Sequence, residues 1–173
     1  MKFNKKHGLV FWVTGISGSG KTTLSKSIYP FIKKNFGSTI LLSGDNLRRI
    51  FKLNRYEKNY RKQLGKKYTL LLKHISANKI NILFSVVGLF HELHKYNRKH
   101  LKNYVEIFID ASFKKTEHRK QKFFYKKKIN NVWGRDIVPE YPKNPDIVIK
   151  NNFNKSIKLL SEELIKKITD LKI

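Results

Sequence analysis

One glycine-rich stretch constrains the fold of this chain more than any other feature. Residues 15–22 read Gly-Ile-Ser-Gly-Ser-Gly-Lys-Thr, which fits the pattern G-x-x-x-x-G-K-[ST]. An apolar run over 9–14 precedes the stretch, and residues 22–35 follow it with apolar side chains at helical spacing. A buried strand, a tight glycine turn and a helix are the context that this pattern requires, so the sequence predicts a loop that surrounds phosphate groups.

Each part of this phosphate loop has a chemical task. The glycines let the backbone turn its N–H groups inward, and the N-terminus of the following helix adds the positive end of its dipole. We expect Lys21 to reach the outer phosphates of ATP and the Thr22 hydroxyl to ligate Mg²⁺. The expected ATP-binding residues of the loop are Gly15, Ser17, Gly18, Ser19, Gly20, Lys21, Thr22 and Thr23.

The rest of the chain alternates between short apolar runs and helical patterns. The apolar runs predict four further strands, and the helical spacing predicts four further helices. Alternation of this kind is typical of an α/β fold, here a P-loop NTPase-type three-layer sandwich with a five-stranded parallel sheet. The predicted strands cover 9–14, 39–42, 80–87, 104–109 and 146–149, and the further helices 58–78, 93–101, 113–128 and 155–171.

Prolines and apolar positions add detail to this prediction. Pro30 is expected to bend or shorten the first helix. Residues 130–145 hold three of the four prolines and predict a loop. A length of 173 residues favours one domain over 1–173. The closing helix is expected to point Ile157, Leu160, Leu164, Ile165 and Ile168 inward.

The net charge of +26 has two interpretations. A charge of this size can mark a nucleic-acid or anionic-membrane partner. However, 31 of the 38 basic residues are lysines, spread along the chain among many Asn and Ile residues, which favours a compositional origin. We therefore expect no specific nucleic-acid partner and no membrane association, and the chain has no 18-residue apolar run. The positive field would still attract anionic nucleotides.

A phosphate loop alone is compatible with several classes of protein. The chain is short for a helicase core and lacks the N-K-x-D guanine motif of a GTPase. P-loop chains of this size are mostly kinases of nucleotides or other small metabolites, with a nucleic-acid-stimulated ATPase and an inactive P-loop regulator as the alternatives. The chain has no cysteine, which excludes a disulfide framework and fits the cytoplasm.

The acceptor of the phosphate is expected to lie near the segment "LLSGDNLRRIF" at 41–51. An aspartate at the carboxyl end of a parallel strand faces the ligand crevice, so Asp45 can take a hydroxyl proton as phosphate transfers. The alternative is that Asp45 caps a helix. Arg48 follows one turn later and offers a planar fork for an anionic acceptor.

Five motifs occur here in the order seen in the adenylylsulfate kinase family: "GISGSGKTT", "LLSGDNLRRIF", "NYVEIFID", "FFYKKK" and "YPKNPDIVI". Over residues 8–155 the chain resembles that family. The resemblance implies a P-loop kinase that moves the γ-phosphate of ATP to the ribose 3′-hydroxyl of adenosine 5′-phosphosulfate. The resemblance also suggests a homodimer, because members of the family often form dimers.

The resemblance assigns roles residue by residue. Asp45 becomes the base near the 3′-hydroxyl, and Tyr56 falls where the family stacks an aromatic ring on the acceptor base. Arg119 and 123–134 match a lid over ATP, here about 119–140 and shorter than usual. The implied acceptor-binding residues are Asn46, Arg48, Tyr56, Arg61, Val87 and Gly88.

The chain also departs from the family pattern. Ser43 stands where the family usually has aspartate, which implies the loss of a water-mediated Mg²⁺ contact. Gly88 aligns with a serine recorded as a phosphorylated intermediate, so that intermediate cannot form here. The segment "VVGLFHELHKYNR" at 86–98 resembles a branch associated with surface-polysaccharide gene clusters, which includes cytidine diphosphoramidate kinase. The expected acceptor is thus adenylylsulfate by family default, or cytidine 5′-diphosphoramidate.

Two further features of the sequence leave alternatives open. His91, Glu92 and His94 suggest a metal site, but the spacing is not that of H-E-x-x-H, and a role in the acceptor pocket or at a helix start is favoured. Trp133 suits either a cover over a base or a hydrophobic latch.

Overall fold

The computed structural model describes residues 4–116, 133 and 136–171. Arg119 and most of the proposed lid lie outside the described residues. The strands are β1 Val10–Thr14, β2 Thr39–Ser43, β3 Asn81–Ser85, β4 Tyr104–Asp110 and β5 Ile147–Lys150. The helices are α1 Lys21–Phe36, α2 Gly44–Ile50, α3 Lys58–Ala77, α4 His91–His100 and α5 Ile157–Asp170.

The five strands form one parallel sheet in the order β2-β3-β1-β4-β5. The predicted five-stranded parallel sheet is therefore confirmed. In the register of the sheet, Val13 of β1 lies opposite Ser85 of β3 and Thr14 lies opposite Phe108 of β4. The carboxyl ends of all strands meet at one edge, which is where an open α/β sheet binds its ligands.

The side chains of β1 alternate between two hydrophobic cores, one on each face of the sheet. Successive side chains of a strand point to opposite faces, so Phe11 and Val13 pack in one core and Trp12 in the other. The first core is shared with α1 and α5, through residues such as Ile28 and Leu164. The second core contains residues of α3 and α4. Because both faces are covered, β1 is buried along its whole length.

The helices differ from the prediction in a few details. Pro30 does not shorten α1, which continues to Phe36. Ile157 is not an inward residue: it is the first residue of α5, just after the Ser156 cap, and 36% of it is exposed. The short helix α2 is not among the predicted helices, and of the helix predicted at 113–128 only the helical residues 113–116 are described.

Among residues 4–116, 133 and 136–171, no helix is both long enough and apolar enough to span a bilayer.

Candidate active site

The glycine-rich loop turns directly off the end of β1. Gly20 immediately precedes α1 with a φ of 94°, and Gly15 has a φ of 151°. A Cβ atom on Gly15 would lie 2.6 Å from the carbonyl oxygen of Ile109 in β4. The loop can therefore approach the neighbouring strand only without a side chain there, as the motif predicts.

Lys21 and Thr22 begin α1 at the edge of the sheet. Lys21 is buried, and its Nζ donates to the carbonyl oxygen of Ile16 inside the loop at 2.7 Å. The Thr22 Oγ1 lies 3.3 Å from the Oγ of Ser85, the last residue of β3. Two hydroxyl oxygens thus meet at the start of α1, and the Lys21 ammonium is bound inside the loop. The other loop residues range from buried Gly15 and Ser19 through half-buried Ser17 and Gly20 to exposed Gly18 and Thr23.

Asn151 supports the loop from the far side, and the sequence analysis missed it. Its side-chain amide donates to the carbonyl oxygen of Ser19 at 2.9 Å, and its backbone N–H donates to the Asp110 carbonyl at 2.7 Å. The side chain is buried. The only sequence signal is a polar residue that directly follows β5 at the ligand edge of the sheet.

Asp45 lies two residues after the end of β2, in the first turn of α2. The cap of α2 is Ser43, whose Oγ accepts a hydrogen bond from the Asn46 N–H at 3.1 Å. The alternative that Asp45 is the helix cap is therefore wrong. Asp45 and Asn46 are exposed, so the Asp45 carboxylate is available to a ligand at the carboxyl edge.

Two arginines share the ring of Tyr56. The Arg48 guanidinium carbon lies 4.2 Å from the ring centroid and that of Arg61 lies 5.3 Å away. Burial, and then the nearby charge of Arg48, lower the pKa of Arg61. Among the described residues the buried Arg48 Nε has no hydrogen-bond partner. Two guanidiniums this close repel each other, and an anion bound beside them would relieve that repulsion.

Trp133 is packed as a latch. Its ring contacts Phe90 edge to face with centroids 4.8 Å apart, and 4% of the residue is exposed. The Arg61 guanidinium lies 5.8 Å from the Trp133 ring centroid. Trp133 therefore lies between the start of α4 and the arginine pair. In contrast to the buried Trp133, Tyr56 is 45% exposed.

Val87 and Gly88 lie beside the beginning of the phosphate loop. The Thr14 hydroxyl donates to the Val87 carbonyl oxygen at 2.5 Å. Gly88 has a φ of 43°, and a Cβ atom on it would lie 3.1 Å from the Trp12 ring. A serine at this position would be strained and crowded, which agrees with the glycine found there.

His91, Glu92 and His94 point to three different places. His91 Nε2 donates to the Tyr141 carbonyl oxygen at 2.9 Å, and Glu92 pairs with Lys62 and Lys66. His94 Nδ1 lies 2.5 Å from a carboxylate oxygen of Glu106 in the buried core. Across the described part of the chain no group of three His, Cys, Asp or Glu residues can hold a metal ion, and these three side chains do not converge on one point.

Glu106, the third residue of β4, is the centre of a buried polar network. Its carboxylate accepts hydrogen bonds from Tyr104 at 2.8 Å and Arg98 at 3.2 Å, besides the contact with His94. Burial acts to raise the pKa of Glu106, but these partners outweigh burial and hold the pKa below its ordinary value. Glu106 is therefore a stabilising anion with no exposure to the crevice.

Comparison with known proteins identifies the family. The family model described as adenylylsulphate kinase matches residues 7–150. The chain belongs to the adenylylsulphate kinase family. Cytidine diphosphoramidate kinase from Campylobacter jejuni is 33% identical over 168 residues, which cover 95% of this chain and 98% of that protein. Adenylyl-sulfate kinase from Buchnera aphidicola is 33% identical over 181 residues, with 92% and 85% covered.

A solved structure agrees with the sequence comparison. The Mycobacterium tuberculosis APS kinase in complex with AMPPNP and APS matches with a TM-score of 0.81 at 23% identity, over 94% of this chain and 98% of that one. This similarity confirms the P-loop kinase fold. As a member of the adenylylsulphate kinase family, the protein is a phosphotransferase that uses ATP and a nucleotide substrate. The alternative of a nucleic-acid-stimulated ATPase is not favoured.

Proposed function

We propose that this kinase transfers the γ-phosphate of ATP to the ribose 3′-hydroxyl of a nucleoside 5′-phosphoanhydride. The observation that supports the proposal most is the pair Arg48 and Arg61 over one ring of Tyr56, on the same α2–α3 side as Asp45. Two cations and an aromatic face suit a ligand with both an anionic anhydride and a flat base.

The transfer needs a donor side and an acceptor side. On the donor side, the loop N–H groups and Lys21 hold the phosphates and oppose the charge that develops as the bond to ADP breaks. On the acceptor side, the 3′-oxygen forms the new bond to phosphorus and its proton passes to the Asp45 carboxylate. ADP leaves with the electron pair of the broken P–O bond.

The oxygen donors at the sheet edge fit a Mg²⁺ ion. Thr22 and Ser85 bring two hydroxyl oxygens within 3.3 Å of each other, and the exposed Asp45 offers a carboxylate, all hard ligands of the kind that Mg²⁺ prefers. When bound, the ion would neutralise phosphate charge. Ser43 is committed to the α2 cap, so we propose that Thr22 is the protein ligand and that Ser43 does not contribute.

The acceptor is proposed to be either adenylylsulfate or cytidine 5′-diphosphoramidate. Both are 5′-phosphoanhydrides with a free 3′-hydroxyl, and the two relatives are named for one acceptor each. Since Gly88 offers no hydroxyl, the phosphate passes directly from ATP to the acceptor with no phosphoserine at this position. We further propose that the chain forms one P-loop kinase domain and that the protein works in the cytoplasm, where ATP is abundant. We also propose a homodimer, which light scattering would test.

An ADP-release assay tests the proposal. The purified protein is given ATP, Mg²⁺ and each candidate acceptor in turn, with the parent nucleoside 5′-monophosphates as controls that lack the anhydride. We expect turnover with one anhydride and much less with the monophosphates. Turnover that needs DNA or RNA and no small acceptor would contradict the proposal.

A further inference from the structure

A carboxylate far along the chain caps α4. Phe90 occupies the cap position of this helix and provides no side-chain hydrogen bond. Instead, Glu140 Oε2 accepts from the backbone N–H of His91, the first residue of α4, at 2.9 Å. A negative charge at a helix N-terminus also interacts favourably with the helix dipole.

Further contacts fasten the same segment to the same place. The backbone N–H of Glu140 donates to the Leu89 carbonyl oxygen at 3.1 Å, and His91 Nε2 donates to the Tyr141 carbonyl at 2.9 Å. Glu140 Oε1 lies 3.8 Å from Nζ of Lys58, the first residue of α3. Residues 140 and 141 are thus bound to the first residue of α4, and Glu140 also to the first residue of α3.

Trp133 links the capped start of α4 to the arginine pair. Ile137 forms a β-bridge with Trp133, and the Trp133 ring packs on Phe90, next to the capped N–H. The Arg61 guanidinium also lies near that ring, at 5.8 Å from its centroid. Arg61, beside Tyr56, therefore contacts a ring that packs on the residue just before the capped N–H.

We propose that Glu140 is a positioning residue of the acceptor site: by capping α4 it holds Trp133 against Phe90 and so holds Arg61 in place to bind the acceptor anion. This inference rests on the proposed function for what Arg61 binds. Glu140 itself touches neither substrate. Its loss should raise the KM for the acceptor and leave the KM for ATP unchanged, because the Lys21 loop lies on other elements.

Glu140→Ala and Glu140→Gln separate the cap from the charge. Glutamine keeps an oxygen that accepts from the His91 N–H, so it should behave like the wild type. Alanine removes the cap, and the acceptor KM should rise about 2- to 30-fold, the range of one cation–π contact. Glu163→Ala is the matched control, because the Glu163 side chain is similarly exposed, 29% against 30%, and pairs with Lys155, just before α5, and with Lys167 on α5.

Tryptophan fluorescence gives a readout that needs no substrate. The chain has two tryptophans, and Trp12 is fully buried, so a change in acrylamide quenching reports Trp133. Quenching should increase in Glu140→Ala and stay at the wild-type level in Glu140→Gln and Glu163→Ala. Trp133→Phe assigns the signal. Unchanged quenching in a folded Glu140→Ala, or equal effects of glutamine and alanine, would overturn the inference.

A second variant keeps the test decisive if Glu140→Ala does not fold. Trp133→Ala removes the ring itself and should raise the acceptor KM by the same factor. A Trp133→Ala enzyme with a normal acceptor KM would overturn the inference. If the wild type accepts no nucleotide anhydride, the proposed function fails, while the quenching result still decides whether Glu140 positions Trp133.

Discussion

Replacing Arg48 with alanine is expected to weaken binding of the acceptor and to leave binding of ATP unchanged. Arg48 lies on α2, its guanidinium stacks on Tyr56 at 4.2 Å, and its Nη2 donates to the Arg55 carbonyl oxygen at 2.6 Å. None of these contacts involves the phosphate loop. The change therefore removes one cation from the acceptor side only.

The size of the effect follows from the surroundings of the side chain. A hydrogen bond to a charged group contributes about 1.5–3 kcal/mol, which corresponds to about 10- to 100-fold in affinity. Burial, and then repulsion by Arg48, lower the pKa of Arg61, and removing Arg48 relieves that repulsion. We therefore expect the lower end, a rise of about 10-fold in acceptor KM with kcat nearly unchanged, because the contact exists before and during transfer.

The assay is steady-state ADP release with either substrate varied. Arg48→Lys should lie between wild type and alanine, since lysine keeps the charge but lacks the planar fork. The neighbouring Arg49 is exposed on α2, so Arg49→Ala controls for the loss of one positive charge and should have no effect. A rise in the KM for ATP, or equal effects of the Arg48 and Arg49 variants, would refute the reasoning.

Three further predictions concern other parts of the molecule. Lys21→Ala should lower turnover by about 10²-fold or more with an unchanged circular dichroism spectrum; near-normal turnover would remove Lys21 from the mechanism. DNA or RNA should not raise ATP turnover, and binding measured by fluorescence anisotropy should vanish by roughly 0.2 M salt; nanomolar binding at that salt would contradict a compositional charge. Because the pKa of Glu106 is lower in the folded state, its contribution to stability is present above the ordinary value of 4.5 and is lost as the pH falls through the folded pKa. As the pH falls from 4.5 through the folded pKa, the free energy of unfolding in urea should therefore decrease less for Glu106→Gln than for wild type; identical pH dependences would exclude Glu106.

The sheet was predictable from the sequence because its pattern is local. The run over 9–14 is almost continuously apolar, a pattern typical of a strand that is buried on both faces. The glycine motif that follows it is compatible with few other folds. Asp45 followed from the same logic, since the end of a parallel strand faces the ligand edge.

What the sequence analysis missed depends on contacts between distant residues. The helix α2 begins with Gly44-Asp45-Asn46, a sequence that is equally typical of a turn, and only the Ser43 cap and packing decide in favour of the helix. Asn151 meets the Ser19 carbonyl across 132 residues, and Glu140 caps α4 across 49. No local pattern predicts such pairs, because the fold alone brings them together.

The most direct test of the account is the structure of the product. The acceptor that turns over is incubated with ATP, and the product is examined by phosphorus NMR and mass spectrometry, for wild type, Asp45→Asn and the exposed control Asp170→Asn. The account predicts a 3′-phosphorylated nucleotide, formed by Asp45→Asn about 10²- to 10⁴-fold more slowly and by Asp170→Asn at the wild-type rate. A 2′- or terminally phosphorylated product, or an Asp45→Asn enzyme that transfers at full rate, would contradict it.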